Sequence, residues 1–440
     1  LNQYGNTYKV PKNIVPLYYY TFHKDVLKKE KANRLRFYYY LQEKNFLYTY
    51  RNSLTTAFEK SIFYLPKRVL DRKQELKKRQ AKKIQNENTK IEKGKIFMLG
   101  FDKKYMGNSK YLFNYLKTYY GPEKLKFLTT DPAVEESYKV SPNSSELEKE
   151  FYSSEFIIGE SWIPLGYQKK DKQKWIQLWH GTPFKKLLFD STELSVMLKS
   201  PAHKVNLKKD IERWDALLAD SDIAIEKFAT SLDFDKDKIY NLGYPRNQWL
   251  LDNDTEKMKK EIKEKLNIPI TKKVVLYAPT WRDYNYKKNV VEFDTNYLMN
   301  TSKLSEYLGD DYLIIFKGHD MEASVLKNSK GTITIGEEAD TQELILIADI
   351  VVTDYSSILF DAIHLETPIY LFVNDLSKYE RVRGVYNDML DDFEEYLTSS
   401  EIELAKLIQQ SKVQNIPTKY QNKNLKYANQ NIKKLIDSFE

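Results

Sequence analysis

Histidine is scarce in this chain, with five among 440 residues, and two of the five stand just beyond apolar runs that read as strands. His180 follows Trp175-Ile176-Gln177-Leu178-Trp179 and opens His180-Gly181-Thr182-Pro183-Phe184-Lys185-Lys186. His319 closes Lys317-Gly318-His319, which follows Leu313-Ile314-Ile315-Phe316. Imidazole titrates near neutrality and so suits proton transfer, and a glycine beside it lets another group approach closely. His180 is therefore the candidate general base, with a satisfied buried histidine as the plain alternative. His319 joins the candidate catalytic centre as a phosphate contact beside Lys317. His23 in an aromatic stretch, His203 in a loop and His364 well down a helix read as structural.

The next candidates are hydroxyls and cations at other strand ends. Thr353-Asp354-Tyr355-Ser356-Ser357 follows Ile350-Val351-Val352 and opens a helix predicted over residues 358–365. Two serine hydroxyls beside the free N–H groups of a helix start make a phosphate cradle without glycines. The plain alternative is that one serine is only an N-cap. Arg282, after the strand at 274–277 and Ala278-Pro279-Thr280-Trp281, and Arg383 would add planar, bidentate phosphate donors. No GxGxxG or GxxxxGK[ST] follows any strand, which argues against ordinary dinucleotide or P-loop binding. There is no His-Glu-x-x-His and no cysteine, and Asp391-Asp392 with Glu394-Glu395 reads as a solvated helix face, so no dedicated metal site is expected. A loosely held Mg2+ remains compatible with the residue set.

Elements must hold these residues in place. From Lys95 onward, short apolar runs at 96–101, 125–128, 156–159, 175–179 and 216–219 alternate with helical periods such as 109–119. A second series begins after a helix at 255–266 and the break Asn267-Ile268-Pro269, with strands at 274–277, 312–316, 332–335, 350–352 and 369–373. Asp340-Thr341-Gln342-Glu343 looks like a capping-box start for a helix at 342–348. Strands spaced by helices imply βαβ units and mostly parallel sheets. The expected fold is thus α/β, two Rossmann-like domains facing across a cleft, at 95–270 and 271–415, with a C-terminal helix in 416–440. Ligands in such sheets sit beyond the carboxyl ends of the strands, which is where the polar clusters fall.

The composition sharpens the division. Hydrophobic residues make up 41% and charged residues 30% of the chain, enough to bury cores and too ordered a mix for a disordered or fibrous protein. Residues 1–95 hold 23 Lys+Arg against 8 Asp+Glu, net +15, so the remaining 47 against 54 carry net −7. Within 1–94, aromatics such as Tyr18-Tyr19-Tyr20 and Phe37-Tyr38-Tyr39-Tyr40 interleave with basic residues, and the segment reads as a helical basic N-terminal extension. It suits the interface of an anionic membrane and equally a solvated helix packed on the next domain by its aromatics. No recognised module supports nucleic acid as a partner. The absence of cysteine fits a reducing compartment. No signal peptide or run of about 18 apolar residues is visible, and a start at Leu1 suggests a processed or excised chain.

Six motifs in order, Trp179-His180-Gly181-Thr182-Pro183-Phe184-Lys185, Gly243-Tyr244-Pro245-Arg246-Asn247, Tyr277-Ala278-Pro279-Thr280-Trp281-Arg282, Phe316-Lys317-Gly318-His319, Thr353-Asp354-Tyr355-Ser356-Ser357 and Arg383-Gly384-Val385-Tyr386, resemble those of the CDP-glycerol glycerophosphotransferase family over residues 95–415. These are the teichoic acid primases and polymerases of Gram-positive bacteria and related capsule polymerases. The resemblance implies a GT-B fold and transfer of glycerol phosphate or ribitol phosphate from a CDP-polyol to the terminal hydroxyl of a lipid-linked acceptor, releasing CMP. It implies His180 as base and His319, Lys317, Arg282, Ser356, Ser357 and Arg383 around the donor diphosphate, with Gly181, Thr182, Arg246, Thr353 and Asp354 completing the substrate-binding set. It implies a peripheral enzyme on the cytoplasmic face of the membrane. Three positions depart from the family pattern: Asp320 where Pro is frequent, Gln248 where an acidic residue is common, and Leu188 where Gly often stands. A GT-B glycosyltransferase using a nucleotide sugar, and a non-catalytic membrane scaffold, are the alternatives.

Overall fold

Residue pattern within each strand explains why both faces of two sheets are covered. In the first half Phe97, Leu99, Ile157, Trp175 and Leu217 enter one core, while their neighbours Ile96, Met98, Phe156, Ile158, Ile176, Ala216 and Leu218 enter another. Alternate residues point to opposite faces, so near-continuous apolar runs demand cover on both sides. The same split recurs in the second half, with Val274, Leu276, Val351, Ile369 and Leu371 on one face and Val275, Tyr277, Ile350, Val352, Tyr370 and Phe372 on the other.

The computed structural model describes residues 86–191, 200–280, 282, 297–318, 330–336, 339–411 and 413–439. The expected basic helical extension lies almost wholly outside these residues. Among them, thirteen strands form two parallel sheets. The first comprises β1 (Glu92–Leu99), β2 (Leu125–Leu128), β3 (Lys139–Val140), β4 (Ser154–Gly159), β5 (Lys174–Gln177), β6 (Ala216–Ala219) and β7 (Ile239–Asn241), in the order β3-β2-β1-β4-β5-β6-β7. The second comprises β8 (Lys273–Tyr277), β9 (Tyr312–Lys317), β10 (Thr332–Ile335), β11 (Ile350–Thr353), β12 (Ile369–Phe372) and β13 (Leu397–Thr398), in the order β10-β9-β8-β11-β12-β13. Ten of these strands match the apolar runs. The other three, β3, β7 and β13, are two or three residues long, too short to carry a pattern.

Five helices matter for the site: α1 (Gly107–Leu116), α2 (Pro245–Asn253), α3 (Thr341–Ile347), α4 (Ile358–Ile363) and α5 (Ala428–Ser438). Asp340 caps α3, its side chain accepting from the Gln342 N–H, as its position before Gln342 and Glu343 suggests. Within 416–440, where a C-terminal helix is expected, α5 spans Ala428–Ser438 and packs on the first sheet: Ile432, Leu435 and Ile436 join Phe113, Leu116, Phe156 and Tyr244 in one core. Residues 89–440 form one compact unit.

Candidate active site

Each sheet reverses its strand order once, between β1 and β4 and between β8 and β11. Such a switch point opens a crevice at the carboxyl ends of the strands. In the first half that crevice is filled from within. Glu160, directly after β4, accepts from the Asn108 N–H at 3.1 Å and the Ser109 N–H at 2.9 Å, at the start of α1. A Cβ on Gly107 (φ +63°) would lie 2.2 Å from Glu160 Oε1, so only glycine admits the carboxylate. Burial pushes the Glu160 pKa up, against the two N–H groups. The anion position at the head of α1 is therefore occupied by a side chain. At the second switch point β11 runs instead into the hydroxyls of Ser356 and Ser357, both half-buried.

His180 lies on a loop in unusual backbone conformation. Trp179 has φ +55° and Gly181 φ +133°, and a left-handed non-glycine residue costs about 1–2 kcal/mol. Three side chains hold it. Gln177 Oε1 accepts from the Trp179 N–H at 3.1 Å, Asn108 Nδ2 donates to the Trp179 carbonyl at 2.9 Å, and Arg246 Nη1 donates to the His180 carbonyl at 3.0 Å. The imidazole stacks on Trp179 with centroids 4.7 Å apart and meets the edge of Phe101 at 5.3 Å. Burial first, then the Arg246 and Lys185 cations, lower the His180 pKa to about 3, so without a bound anion the imidazole is neutral.

Gly181 carries the loop to the other half. A Cβ there would lie 2.4 Å from Ser357 Oγ and 2.9 Å from Arg246 Nη2. The loop that carries His180 in the first half and Ser357 in the second are thus in direct contact. Beyond it, Lys185 and Val385 form an antiparallel bridge, the Lys186 N–H donates to the Gly384 carbonyl at 2.9 Å and the Tyr386 N–H to the Phe184 carbonyl at 3.2 Å. Two motifs separated by some two hundred residues are stitched together at this point.

Several residues expected at the substrate turn their polar groups into the protein. Arg282 is 1% exposed; its guanidinium pairs with Asp354 at 2.8 Å and with Asp375 at 2.9 Å, donates to the Thr280 carbonyl, and lies 4.4 to 5.0 Å from the ring centroids of Tyr297, Tyr355 and Tyr379. Asp354 also accepts from the Thr280 and Tyr355 N–H groups. Thr353 Oγ1 donates to the Ala278 carbonyl at 2.7 Å, and Thr182 Oγ1 donates to Asp220. Lys317 Nζ donates to the carbonyls of Gly336 and Ala339. Arg246 is buried and paired with Asp361 at 2.9 Å; burial works against its charge, and Asp361 and Glu160 more than offset this, raising its pKa. Arg383 is half-buried at the end of the helix Leu376–Val382, its carbonyl accepting from Ser191 Oγ. His319 and Asp320 lie outside the described residues.

The remaining family departures have local reasons. Leu188 has φ +26°, a backbone that glycine adopts freely, and is held by burial in the core around Trp179. Gln248 Oε1 accepts from the Asn429 N–H at 2.8 Å in the first turn of α5, a bond that a carboxylate would also accept. Sequence reasoning missed Asn108, Glu160, Asp220 and Asp361. Glu160 and Asp220 directly follow β4 and β6, so the strand-end rule could have found them; Asn108 and Asp361 carry no local signal. Burial raises the Asp220 pKa to about 7. No group of three or more metal-type side chains occurs among the described residues, and Asp354 and Asp375 are committed to Arg282.

The model of the family described as CDP-Glycerol:Poly(glycerophosphate) glycerophosphotransferase matches residues 81–437. The chain is 31% identical over 382 residues to a teichoic acid poly(glycerol phosphate) polymerase of Staphylococcus epidermidis, covering 82% of this chain and 52% of that protein. It is 34% identical to the polymerase of the same description from Bacillus subtilis, covering 58% of this chain and 35% of that one. The chain thus spans about half the length, or less, of these curated relatives. A solved structure of the wall teichoic acid polymerase TagF superposes with a TM-score of 0.68 at 29% identity, covering 87% of this chain and 91% of that one.

Proposed function

The chain belongs to the CDP-glycerol:poly(glycerophosphate) glycerophosphotransferase family, and from that premise we propose that it transfers glycerol phosphate, or ribitol phosphate, from a CDP-polyol to the terminal hydroxyl of a lipid-linked teichoic acid or capsule-type acceptor, releasing CMP. The observation that supports this reading is the contact between Gly181, next to His180, and Ser357, which joins the His180 loop of one sheet to the serine pair at the switch point of the other. Two Rossmann-like halves meeting by their carboxyl edges correspond to a GT-B arrangement, with donor and acceptor entering between them.

In the reaction, an acceptor hydroxyl attacks the β-phosphorus of the donor. The new P–O bond forms as the bond to the CMP oxygen breaks, and His180 takes the hydroxyl proton. Ser356, Ser357 and, from its half-buried position, Arg383 face the donor phosphates and stabilise charge on the leaving CMP; His319 is assigned to the same role from its motif alone, and Lys317, whose ammonium donates to the Gly336 and Ala339 carbonyls, to holding that strand end. Arg246, Arg282, Thr182, Thr353 and Asp354 act beneath this surface, fixing the loops that carry it.

The basic segment 1–94 is assigned to attachment at the cytoplasmic face of an anionic membrane, where the acceptor's lipid is anchored. None of the described helices is long and apolar enough to cross a membrane. Flotation of the full chain with anionic vesicles, abolished in high salt, supports this; flotation equal on neutral vesicles refutes it. For the reaction, the chain is incubated with CDP-glycerol, CDP-ribitol, UDP-sugars and CMP-sugars in the presence of a glycerol-phosphate-primed lipid acceptor. CMP release with a CDP-polyol alone is the expected result. Turnover of a nucleotide sugar and not of either CDP-polyol overturns it in favour of a glycosyltransferase.

A further inference from the structure

The strained loop carrying His180 is held by groups from both halves, and one of them, Asp361, comes from the same helix that the serine pair opens. Asn108, fully buried, donates from Nδ2 to the Trp179 carbonyl and accepts at Oδ1 from the Arg246 N–H at 3.4 Å. Arg246 Nη1 reaches the His180 carbonyl at 3.0 Å while Nη2 pairs with Asp361 Oδ1 at 2.9 Å. The second Asp361 oxygen accepts from Gln342 Nε2 at 3.2 Å. On α4, Asp361 stands four residues after Ser357, so the two share one helix face. Ser357 meets Gly181 and Asp361 meets the arginine that grips the His180 carbonyl, so one helix start reaches the loop directly through Ser357 and indirectly through Arg246.

Building on the assignment of His180 as general base, we infer that Asn108, Arg246 and Asp361 are positioning residues that clamp the His180 backbone and tie the base to the helix bearing the donor-side hydroxyls. A role confined to stability accounts poorly for this arrangement. A buried ion pair is often no more stabilising than apolar side chains of the same size, yet here its arginine also grips a loop whose backbone is left-handed at Trp179 and Gly181. The clamp grips carbonyls, not side chains, so it sets where the imidazole sits without contacting substrate. Through it the base and the phosphate-side hydroxyls keep a fixed separation whichever half a ligand enters first.

The test is the double variant Arg246→Met with Asp361→Asn in the full chain, which removes the clamp without leaving either charge unpaired; Asp361→Asn alone strands a buried guanidinium and risks misfolding. With CDP-glycerol and acceptor, kcat for CMP release is expected to fall about 100-fold, the effect of a displacement near 1 Å in a reacting group. The Kd of CDP-glycerol, by calorimetry, is expected to stay within about threefold. Amide exchange of the segment 179–182 should rise about tenfold, with that of β4 unchanged. Asn108→Ala should reproduce the kcat loss in part. A double variant with wild-type kcat and unchanged exchange at 179–182 overturns the inference. So does exchange rising equally in β4 together with weakened donor binding, which would make the pair merely structural. A wild-type chain that releases no CMP from either CDP-polyol sinks the functional reading; the exchange comparison then still decides whether the clamp exists.

Discussion

Gly181→Ala probes the closest approach between the two halves. The added Cβ would lie 2.4 Å from Ser357 Oγ, 2.7 Å from Ser357 Cβ and 2.9 Å from Arg246 Nη2. Ordinary contact begins at 3.4 Å, so the loop or Ser357 must retreat by about 1 Å. Two costs add. A non-glycine residue at φ +133° stores about 1–3 kcal/mol, and overpacking against Ser357 and Arg246 costs about 1–3 kcal/mol more. A loss of about 2–6 kcal/mol from a typical total of about 5–15 kcal/mol leaves a folded but weakened protein, and a 1 Å shift of the base lowers the rate about 100-fold. Denaturant midpoints and single-turnover CMP release measure the two parts. Adding Ser357→Gly removes the clash with Ser357 and leaves the backbone strain, so the double variant should be more stable than the sum of the single changes by about 1–3 kcal/mol. A Gly181→Ala protein with unchanged midpoint and rate, or strict additivity with Ser357→Gly, would refute the contact and the reasoning built on it.

Arg282→Met should cost about 3–5 kcal/mol because it strands Asp354 and Asp375 without their cation, and Arg282→Lys should restore only part of this because one ammonium cannot span both carboxylates; chemical denaturation reads both. Asp220, whose pKa rises from 3.8 unfolded to about 7 folded, binds more protons folded than unfolded between those values, so its ionisation removes stability as pH rises through that window. Asp220→Asn, which keeps an acceptor for Thr182, should therefore gain on the wild type from pH 4 to about 7 and run parallel above it, measured by urea midpoints. His180 has the opposite sign: its pKa of about 3 in the fold, against 6.5 unfolded, gives stability present above 6.5 and lost as pH falls toward 3. In kinetics, kcat/KM should show no acid limb from His180 above pH 5, while a bound diphosphate favours the imidazolium and moves the limb in kcat upward; coincident limbs in the two profiles would contradict this. Ser356→Ala with Ser357→Ala should weaken CDP-polyol binding by about tenfold or more, two lost hydrogen bonds to a charged group, and unchanged affinity by calorimetry would remove the serines from the donor site.

How much was legible follows from how far each signal travels along the chain. Ten strands and the helices α1, α3 and α4 were readable because burial on both faces writes a continuous apolar run into a few consecutive residues. Their position after those runs nominated His180, Ser356 and Ser357 as site candidates for the same local reason. The roles of Arg282, Thr353 and Asp354 could not be read that way: each is a polar residue after a strand, but burial and pairing commit it to Asp375, Ala278 or Thr280. A residue type announces what chemistry it can do; only its neighbours decide whether a ligand or the protein receives it. Asn108 and Asp361 were silent because their partners lie far away in the chain, for Asn108 some 70 and 140 residues on in the same half and for Asp361 in the other half.

By itself the sequence determined two parallel α/β halves and the family through six ordered motifs, and it nominated the strand ends as candidate sites, since each depends on residues close together in the chain. The tertiary structure alone decided that Glu160 fills the first anion position, that α5 returns to the first sheet, that Gly181 meets Ser357, and that Asp361 of one half pairs with the arginine that holds the His180 loop of the other. Those outcomes depend on contacts between residues tens to hundreds of positions apart, and no short-range pattern of burial or propensity encodes them.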